Sequence, residues 1–192
     1  MEHILEPPLS EADVRQLALE DTVLINGTIF GMRDATQIRM FDEGIASPAN
    51  LAGSVCLHTA PGVKKRPDGT YEKVSIGTTT STRMDRFVPD LLERYQVRAI
   101  VGKGGLLQAS VEALQRLGGV YLAIVGGAAA LETTQIEAIE DVWWEDLMPE
   151  CLWRFRVRNF GPLVVAIDAH GHSLYRDVEQ RAAERIRQLG AS

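Results

Sequence analysis

Apolar positions along this chain recur with two different periods, and the switches between them divide it into elements. Ser10-Glu11-Ala12-Asp13 has the side chains of a capping box. Val14, Leu17 and Leu19 behind it predict a short helix to about Leu19. From Asp21 to Phe30 the run Thr22-Val23-Leu24-Ile25-Asn26-Gly27-Thr28-Ile29-Phe30 predicts a strand, with Gly27 marking a bend or bulge. Arg33-Asp34 then opens a second helix through about Phe41, in which Asp34 either caps the helix or pairs with Arg33.

Ser54 to Thr59 is a second predicted strand. Ala60-Pro61-Gly62, the basic run Lys64-Lys65-Arg66-Pro67 and the turn pair Asp68-Gly69 lead to strand-like Thr70 to Ile76, so the basic run is expected at the exposed tip of a hairpin. From Arg83 the period becomes helical: Met84, Phe87, Leu91, Leu92 and Tyr95 share a face, and Pro89 is compatible only with a first turn. Val97 to Val101 is an expected buried strand, Leu106 to Leu117 a helix, and Val120 to Val125 a strand that runs into Gly126-Gly127. Ile136 to Trp144 reads as extended, Leu163 to Asp168 as a strong strand, and Asp177 to Leu189 as a charged helix.

The strand–helix–strand order implies an α/β fold with parallel units and right-handed crossovers. A length of 192 residues and 45% hydrophobic content suit one compact domain spanning 1–192, with a helical tail from about 177. The formal net charge of −6 argues against a broad nucleic-acid surface, which needs clustered Lys and Arg. No apolar run approaches the roughly 20 residues of a membrane span, and the first residues lack a signal-peptide pattern. A cytoplasmic protein is the expectation.

Candidate chemistry concentrates between Ile76 and Gly105. Gly77-Thr78-Thr79-Thr80-Ser81-Thr82-Arg83 precedes a helix, and Val101-Gly102-Lys103-Gly104-Gly105 places a lysine in a glycine turn at a strand's end. Hydroxyls, a guanidinium fork and an ammonium near helix starts make a receptor for a carboxylate or phosphate. Each piece also has a plainer use, the hydroxyl run as a redundant N-cap and Lys103 as a solvated turn residue. Open α/β folds, however, bind ligands at the carboxyl ends of their strands. Lys103 lacks the upstream glycine of a P-loop, and no Gly-x-Gly-x-x-Gly is present. His58 is a structural residue or a general base. His170 and His172 have no completing ligand at a recognisable metal spacing. Trp143 and Trp144 are expected as packing or interface residues. Cys56 sits in an apolar strand pattern, and Cys151 follows Pro149 near an expected helix start. Two distant cysteines suggest no disulfide and cannot by themselves ligate an iron–sulfur cluster.

The ordered set Asn26-Gly27-Thr28-Ile29, Arg33-Asp34-Ala35, Thr79-Thr80-Ser81-Thr82-Arg83-Met84-Asp85, Gly102-Lys103-Gly104-Gly105 and Gly126-Gly127-Ala128-Ala129-Ala130-Leu131 resembles the β region of the iron–sulfur hydro-lyases, the family of class I fumarases and L(+)-tartrate dehydratases. The stretches Val142 to Trp153 and Phe160 to Gly171 are similar to the separate β subunit of the tartrate dehydratases. The resemblance implies a swivelling β/β/α domain with a mixed, partly parallel sheet flanked by helices. It further implies a partner α subunit carrying a 4Fe–4S cluster, whose open iron assists loss of hydroxide from a 2-hydroxydicarboxylate. This chain itself would hold no metal. Arg33, Arg83 and Lys103 are the basic substrate-binding residues so implied, and Thr79 is the threonine aligned with the proposed proton-transfer group. Cations suit a carboxylate that gains aci-carboxylate character. An ordinary hydroxyl is a poor base near neutral pH, which leaves Thr79 as base, relay or substrate ligand. Thr78 stands where the family commonly has proline, Gln37 where a basic residue or histidine is frequent, and Thr59-Ala60-Pro61 where a Gly-Pro turn is usual. The other function open to such a chain is a non-catalytic swivelling module that binds small anions or a partner.

Overall fold

The computed structural model describes residues 1–124 and 129–190. Its strands are β1 (Glu2–Leu5), β2 (Thr22–Met32), β3 (Val55–His58), β4 (Gly62–Lys65), β5 (Tyr71–Ser75), β6 (Ala99–Gly102), β7 (Val120–Ala123), β8 (Ile136–Trp143) and β9 (Leu152–Ile167). Its α-helices are α1 (Glu11–Arg15), α2 (Asp34–Phe41), α3 (Val88–Tyr95), α4 (Gln108–Leu117), α5 (Ala129–Gln135) and α6 (Leu174–Gly190). A 3₁₀ helix, Ser81–Phe87, leads directly into α3.

Seven strands form one mixed sheet in the order β1-β2-β3-β6-β7-β9-β8, while β4 and β5 make a separate hairpin, so Lys64 and Lys65 of the basic run belong to one of its strands rather than to its tip. Neighbours from β1 to β7 run parallel, each joined by a connection that contains a helix. The long β9 returns antiparallel to β7, β8 and also β2. That last pairing closes a circuit β2-β3-β6-β7-β9. Gly27, at φ +107°, sits where the β2–β9 register shifts, so it marks a bulge, a conformation that suits glycine.

Side-chain alternation sorts residues to the two faces of this circuit. Val55, Leu57, Ala99, Val101, Val120 and Leu122 join Val23, Ile25, Phe155 and Val165 in one buried cluster. Their neighbours Cys56, Ile100 and Tyr121 belong to a second cluster with Leu91 and Leu92 of α3 and Val111 and Leu114 of α4. His58 and Gly102 continue the second alternation, so both lie on the helix-covered face.

Several expected boundaries shift. The capping box forms, with the Asp13 amide donating to Ser10 Oγ at 3.2 Å and the Ser10 amide to Asp13 Oδ2 at 2.7 Å, but α1 ends at Arg15 rather than near Leu19. Leu17 is buried beyond the helix end. The strand expected at Leu163 is only the second half of β9, because the polar Arg154, Arg156 and Arg158 disguise its first half in sequence. Those guanidiniums pair with Glu140, Asp141 and Glu137 on β8. Cys151 immediately precedes β9 instead of a helix. The C-terminal helix begins at Leu174, three residues before its expected start. Trp143 packs at 6.5 Å from the Phe30 ring, and Arg39 lies over Trp144. Val125 and the pair Gly126-Gly127 lie outside the described residues.

At the end of β6 backbone and side chains approach closely. A Cβ on Gly102 would fall 1.8 Å from Ser81 Oγ and 3.1 Å from the Tyr121 hydroxyl. Gly102→Ala should therefore overpack this layer and lower stability by about 1 to 3 kcal/mol. Urea denaturation would read this as a reduced midpoint at unchanged slope; an unshifted midpoint would contradict the packing.

Candidate functional site

The parallel strands β2, β3 and β6 end side by side, and the segment after β5 is laid across those ends. The Thr79 amide donates to the His58 carbonyl at 2.9 Å, the Lys103 amide to the Thr79 carbonyl at 3.4 Å, and the Ser81 amide to the Lys103 carbonyl at 2.9 Å. Thr80 and Lys103 thus form a short parallel bridge, and Thr59 and Thr78 an antiparallel one. The threonine run acts as an added strand-like segment, which fixes Thr79 against Lys103 through the backbone whatever their side chains do.

Side chains brace the same segment. Thr59 Oγ1 donates to the Gly77 carbonyl at 2.8 Å and Thr82 Oγ1 to that of Gly105 at 2.8 Å. Asp85 Oδ1 accepts from the Leu107 amide and from Ser110 Oγ, both at 2.7 Å, and so ties the 3₁₀ helix to the start of α4. Beneath lies a buried polar chain. His58 Nδ1 is 2.9 Å from Ser81 Oγ, and the Tyr121 hydroxyl lies 2.9 Å from both Ser81 Oγ and the Gly104 carbonyl. Burial presses the His58 pKa down to about 4. His58 is therefore neutral at pH 7 and sits fully inside, which favours its structural role over that of a general base.

The hydroxyl run is not a redundant cap, since Thr80 precedes the 3₁₀ helix without a capping side-chain bond. Among the described residues the Thr79 hydroxyl has no hydrogen-bond partner, and it is only partly covered. The Lys103 ammonium, on an exposed residue, has no salt-bridge partner among them either.

Arg33 and Arg83 converge on one carboxylate. Arg33 precedes α2 in an extended conformation, and its Nε donates to Asp34 Oδ2 at 3.0 Å; an Arg83 terminal nitrogen lies 3.3 Å from the same oxygen. Asp34 therefore pairs with Arg33 rather than capping the helix. Glu150 approaches Arg33 at 3.4 Å and accepts from the Ala35 amide at 2.8 Å, which anchors α2 to the loop before β9. Arg83 keeps about half of its side chain exposed, 52%. The site is thus a guanidinium pair on one side, a free ammonium on the other, and an unpaired hydroxyl joined to both by a few residues of backbone.

All four residues singled out in the sequence, Arg33, Thr79, Arg83 and Lys103, come from the carboxyl-end edge of the parallel strands. His170 and His172 do not join them: His170 Nε2 is 3.0 Å from the Arg15 carbonyl and His172 Nδ1 is 2.8 Å from Asp168 Oδ2. The bridging role of Asp34, the contact of distant Glu150 and a buried Glu132 were missed. Only the alternation that places His58, Gly102 and Tyr121 on one face gave a signal for the chain beneath. Gln37 is fully buried, and its amide atoms have no partner among the described residues.

Cluster ligation does not fit this chain. Cys56 and Cys151 are both buried and free, their thiols pushed up by burial to about 12 and about 11. Among the described residues no group of three or more His, Cys, Asp or Glu is placed to hold a metal ion, and no helix is long and apolar enough to cross a membrane.

Comparison with known proteins identifies the family. Residues 3–178 match the family model described as the fumarase C-terminus. The chain belongs to this family. It is 37% identical over 186 residues to the L(+)-tartrate dehydratase subunit beta of Shigella sonnei, covering 96% of this chain and 92% of that protein. A putative L(+)-tartrate dehydratase subunit beta of Methanocaldococcus jannaschii is also 37% identical, over 94% of this chain and 95% of its own length. A putative class I fumarate hydratase of Geobacillus stearothermophilus is 38% identical over 96% of this chain, which spans only 36% of that longer protein. Tartrate dehydratases and fumarate hydratases are hydro-lyases, so the family is enzymatic, and the relatives covered over nearly their whole length are named beta subunits.

The buried histidine makes a stability prediction. Unfolded, His58 takes a proton near 6.5; folded, only near 4. Its contribution is therefore fully present above about 6.5 and is lost as pH falls towards 4, a difference on the order of 3 kcal/mol. Urea midpoints measured between pH 7.5 and 4.5 should fall more steeply for the wild type than for His58→Gln. Parallel slopes would mean that His58 is not held neutral.

Proposed function

We propose that this chain is the cytoplasmic β subunit of a hydro-lyase that reversibly dehydrates a 2-hydroxydicarboxylate, either L-tartrate to oxaloacetate or L-malate to fumarate. A partner α subunit would complete the site and carry a 4Fe–4S cluster, which supplies the Lewis acid for the departing hydroxide. The observation that carries this reading is the backbone hydrogen bond that joins Lys103 to Thr79, together with Arg33 and Arg83 gathered on Asp34. A small dicarboxylate presents two anionic ends, and this edge offers cations in two places.

The reaction removes a proton from a carbon beside a carboxylate and hydroxide from the adjacent carbon, together one water. Arg83, half exposed and pulled from one side only, is oriented to take a carboxylate through paired hydrogen bonds, with Arg33 behind it. Lys103 stabilises the carboxylate that gains negative charge as the carbon–hydrogen bond breaks. Thr79 contacts the substrate and relays the proton. Its hydroxyl is available for this because no neighbour among the described residues occupies it. Swivelling of this domain over the α subunit would close the site and exclude water.

Two experiments test the proposal. After iron and sulfide reconstitution the isolated chain should fold, stay colourless and show no dehydratase activity, whereas co-expression with the α chain and anaerobic reconstitution should give turnover of a dicarboxylate. A stable cluster and turnover in this chain alone would defeat the two-subunit account. A folded, cluster-loaded complex inert to every dicarboxylate would instead favour a non-catalytic binding module.

Arg83→Lys keeps the charge but loses the fork, so kcat/KM should fall roughly 10- to 150-fold, the scale of one charged hydrogen bond of about 1.5 to 3 kcal/mol. Unchanged kinetics in a correctly assembled Arg83→Lys complex would remove Arg83 from the substrate site.

A further inference from the structure

Two carboxylates hold Arg33 by the same atom. Its Nε donates to Asp34 Oδ2 at 3.0 Å, and Glu150 Oε1 comes nearest to that nitrogen too, at 3.4 Å. The terminal nitrogens of Arg33 make no hydrogen bond among the described residues. Asp34 Oδ2 also lies 3.3 Å from a terminal nitrogen of Arg83, whose guanidinium has no other ion pair among them. One oxygen therefore stands between two guanidiniums and takes only one edge of each. Most of their N–H groups stay available, in the forked arrangement that matches a carboxylate.

This hold is built into the fold. The Asp34 carboxylate does not cap α2, so the arginines are its partners. Glu150 is itself anchored: its Oε2 accepts from the Ala35 amide at 2.8 Å and its carbonyl from Thr36 Oγ1 at 2.6 Å. Asp146, in the same loop, takes Arg39 of α2 through bonds of 3.0 and 2.6 Å. The side chains of Arg33, Asp34 and Glu150 are 24%, 22% and 23% exposed, so water screens their charges only in part. Without Asp34 the two guanidiniums, gathered on one point, would repel each other.

We propose that Asp34 is the positioning residue of the arginine pair, with Glu150 as the second hold on Arg33: they fix the Nε edge of Arg33 and one corner of Arg83, and leave the remaining N–H groups for one carboxylate of the substrate. The role towards substrate rests on the hydro-lyase reading, whereas the hold itself does not. Field and position have opposite consequences here. A negative charge beside an anion site weakens anion binding, so removing it would tighten substrate binding if its field were all that Asp34 contributed. If Asp34 positions the arginines, removing its charge loosens them and weakens binding. Both arginines hold the substrate carboxylate before and during the reaction, so the loss falls on KM rather than kcat.

The hold is tested in the full chain by nitrogen-15 NMR of the arginine side chains, with Arg33→Lys used to assign the signal. The Arg33 Nε–H should exchange slowly with water in the wild type and about tenfold faster in Asp34→Asn, with a smaller increase in Glu150→Gln. Exchange that neither substitution alters would overturn the hold. In the reconstituted complex Asp34→Asn should raise KM for the dicarboxylate about tenfold, the lower end of one charged hydrogen bond, and leave kcat within about twofold of the wild type. Glu150→Gln should raise KM less. A KM that falls or stays the same in Asp34→Asn, or a loss confined to kcat, would overturn the positioning role. If Asp34→Asn does not fold, an unchanged KM in Glu150→Gln overturns it instead. An inactive wild-type complex in which Arg33 exchange still depends on Asp34 would count against the hydro-lyase reading and in favour of the hold.

Discussion

Three backbone hydrogen bonds govern this molecule's candidate chemistry: Thr79 to His58, Lys103 to Thr79, and Ser81 to Lys103. They make the threonine run an extra strand segment across the ends of β3 and β6. Each satisfies a peptide group that would otherwise end a strand unpaired. The same bonds tie the Thr79 and Lys103 main chains together without using either side chain. In the proposed site, main chain holds these side chains free for an anionic ligand.

What lies below and beside that segment makes it rigid. The His58–Ser81–Tyr121 chain fills the layer under it with hydrogen-bonded polar groups, though His58 Nε2 has no partner among the described residues, and a glycine at 102 leaves just enough room for them. Asp85 couples the 3₁₀ helix to α4, and Asp34 couples Arg83 to Arg33. Buried neutral histidine, bridging carboxylate and unpaired lysine form a graded environment, from apolar core to an open cationic edge. Such preorganisation favours charge developing in a reaction over charge already present in solvent.

Much of this was legible in the chain because periodicity and backbone chemistry are local. The capping box at Ser10, the bulge at Gly27, the hairpin around Asp68-Gly69 and the parallel order of strands all follow from residues close together in sequence. Arg33, Thr79, Arg83 and Lys103 stood out through an ordered set of motifs. The first half of β9 was not legible, since its arginines look solvated until β8 supplies their carboxylates. The closure of β9 onto β2 and the approach of Glu150 to Arg33 join residues more than a hundred positions apart, and nothing local announces them. Glu132 reads as an ordinary surface acid on a short helix. Only the packing of α5 against the threonine run shows that it is buried.

What Lys103 does once substrate is bound decides the proposed function most directly. Steady-state kinetics of a cluster-loaded complex with Lys103→Met, which keeps much of the side chain's length and removes its charge, separate the possibilities. A strong fall in kcat on tartrate or malate, with assembly and cluster content intact, is the predicted result, because the ammonium acts on charge that develops in the transition state. A change confined to KM would reduce Lys103 to uniform substrate binding. Unaltered kinetics would make it a surface turn lysine and contradict the site described here.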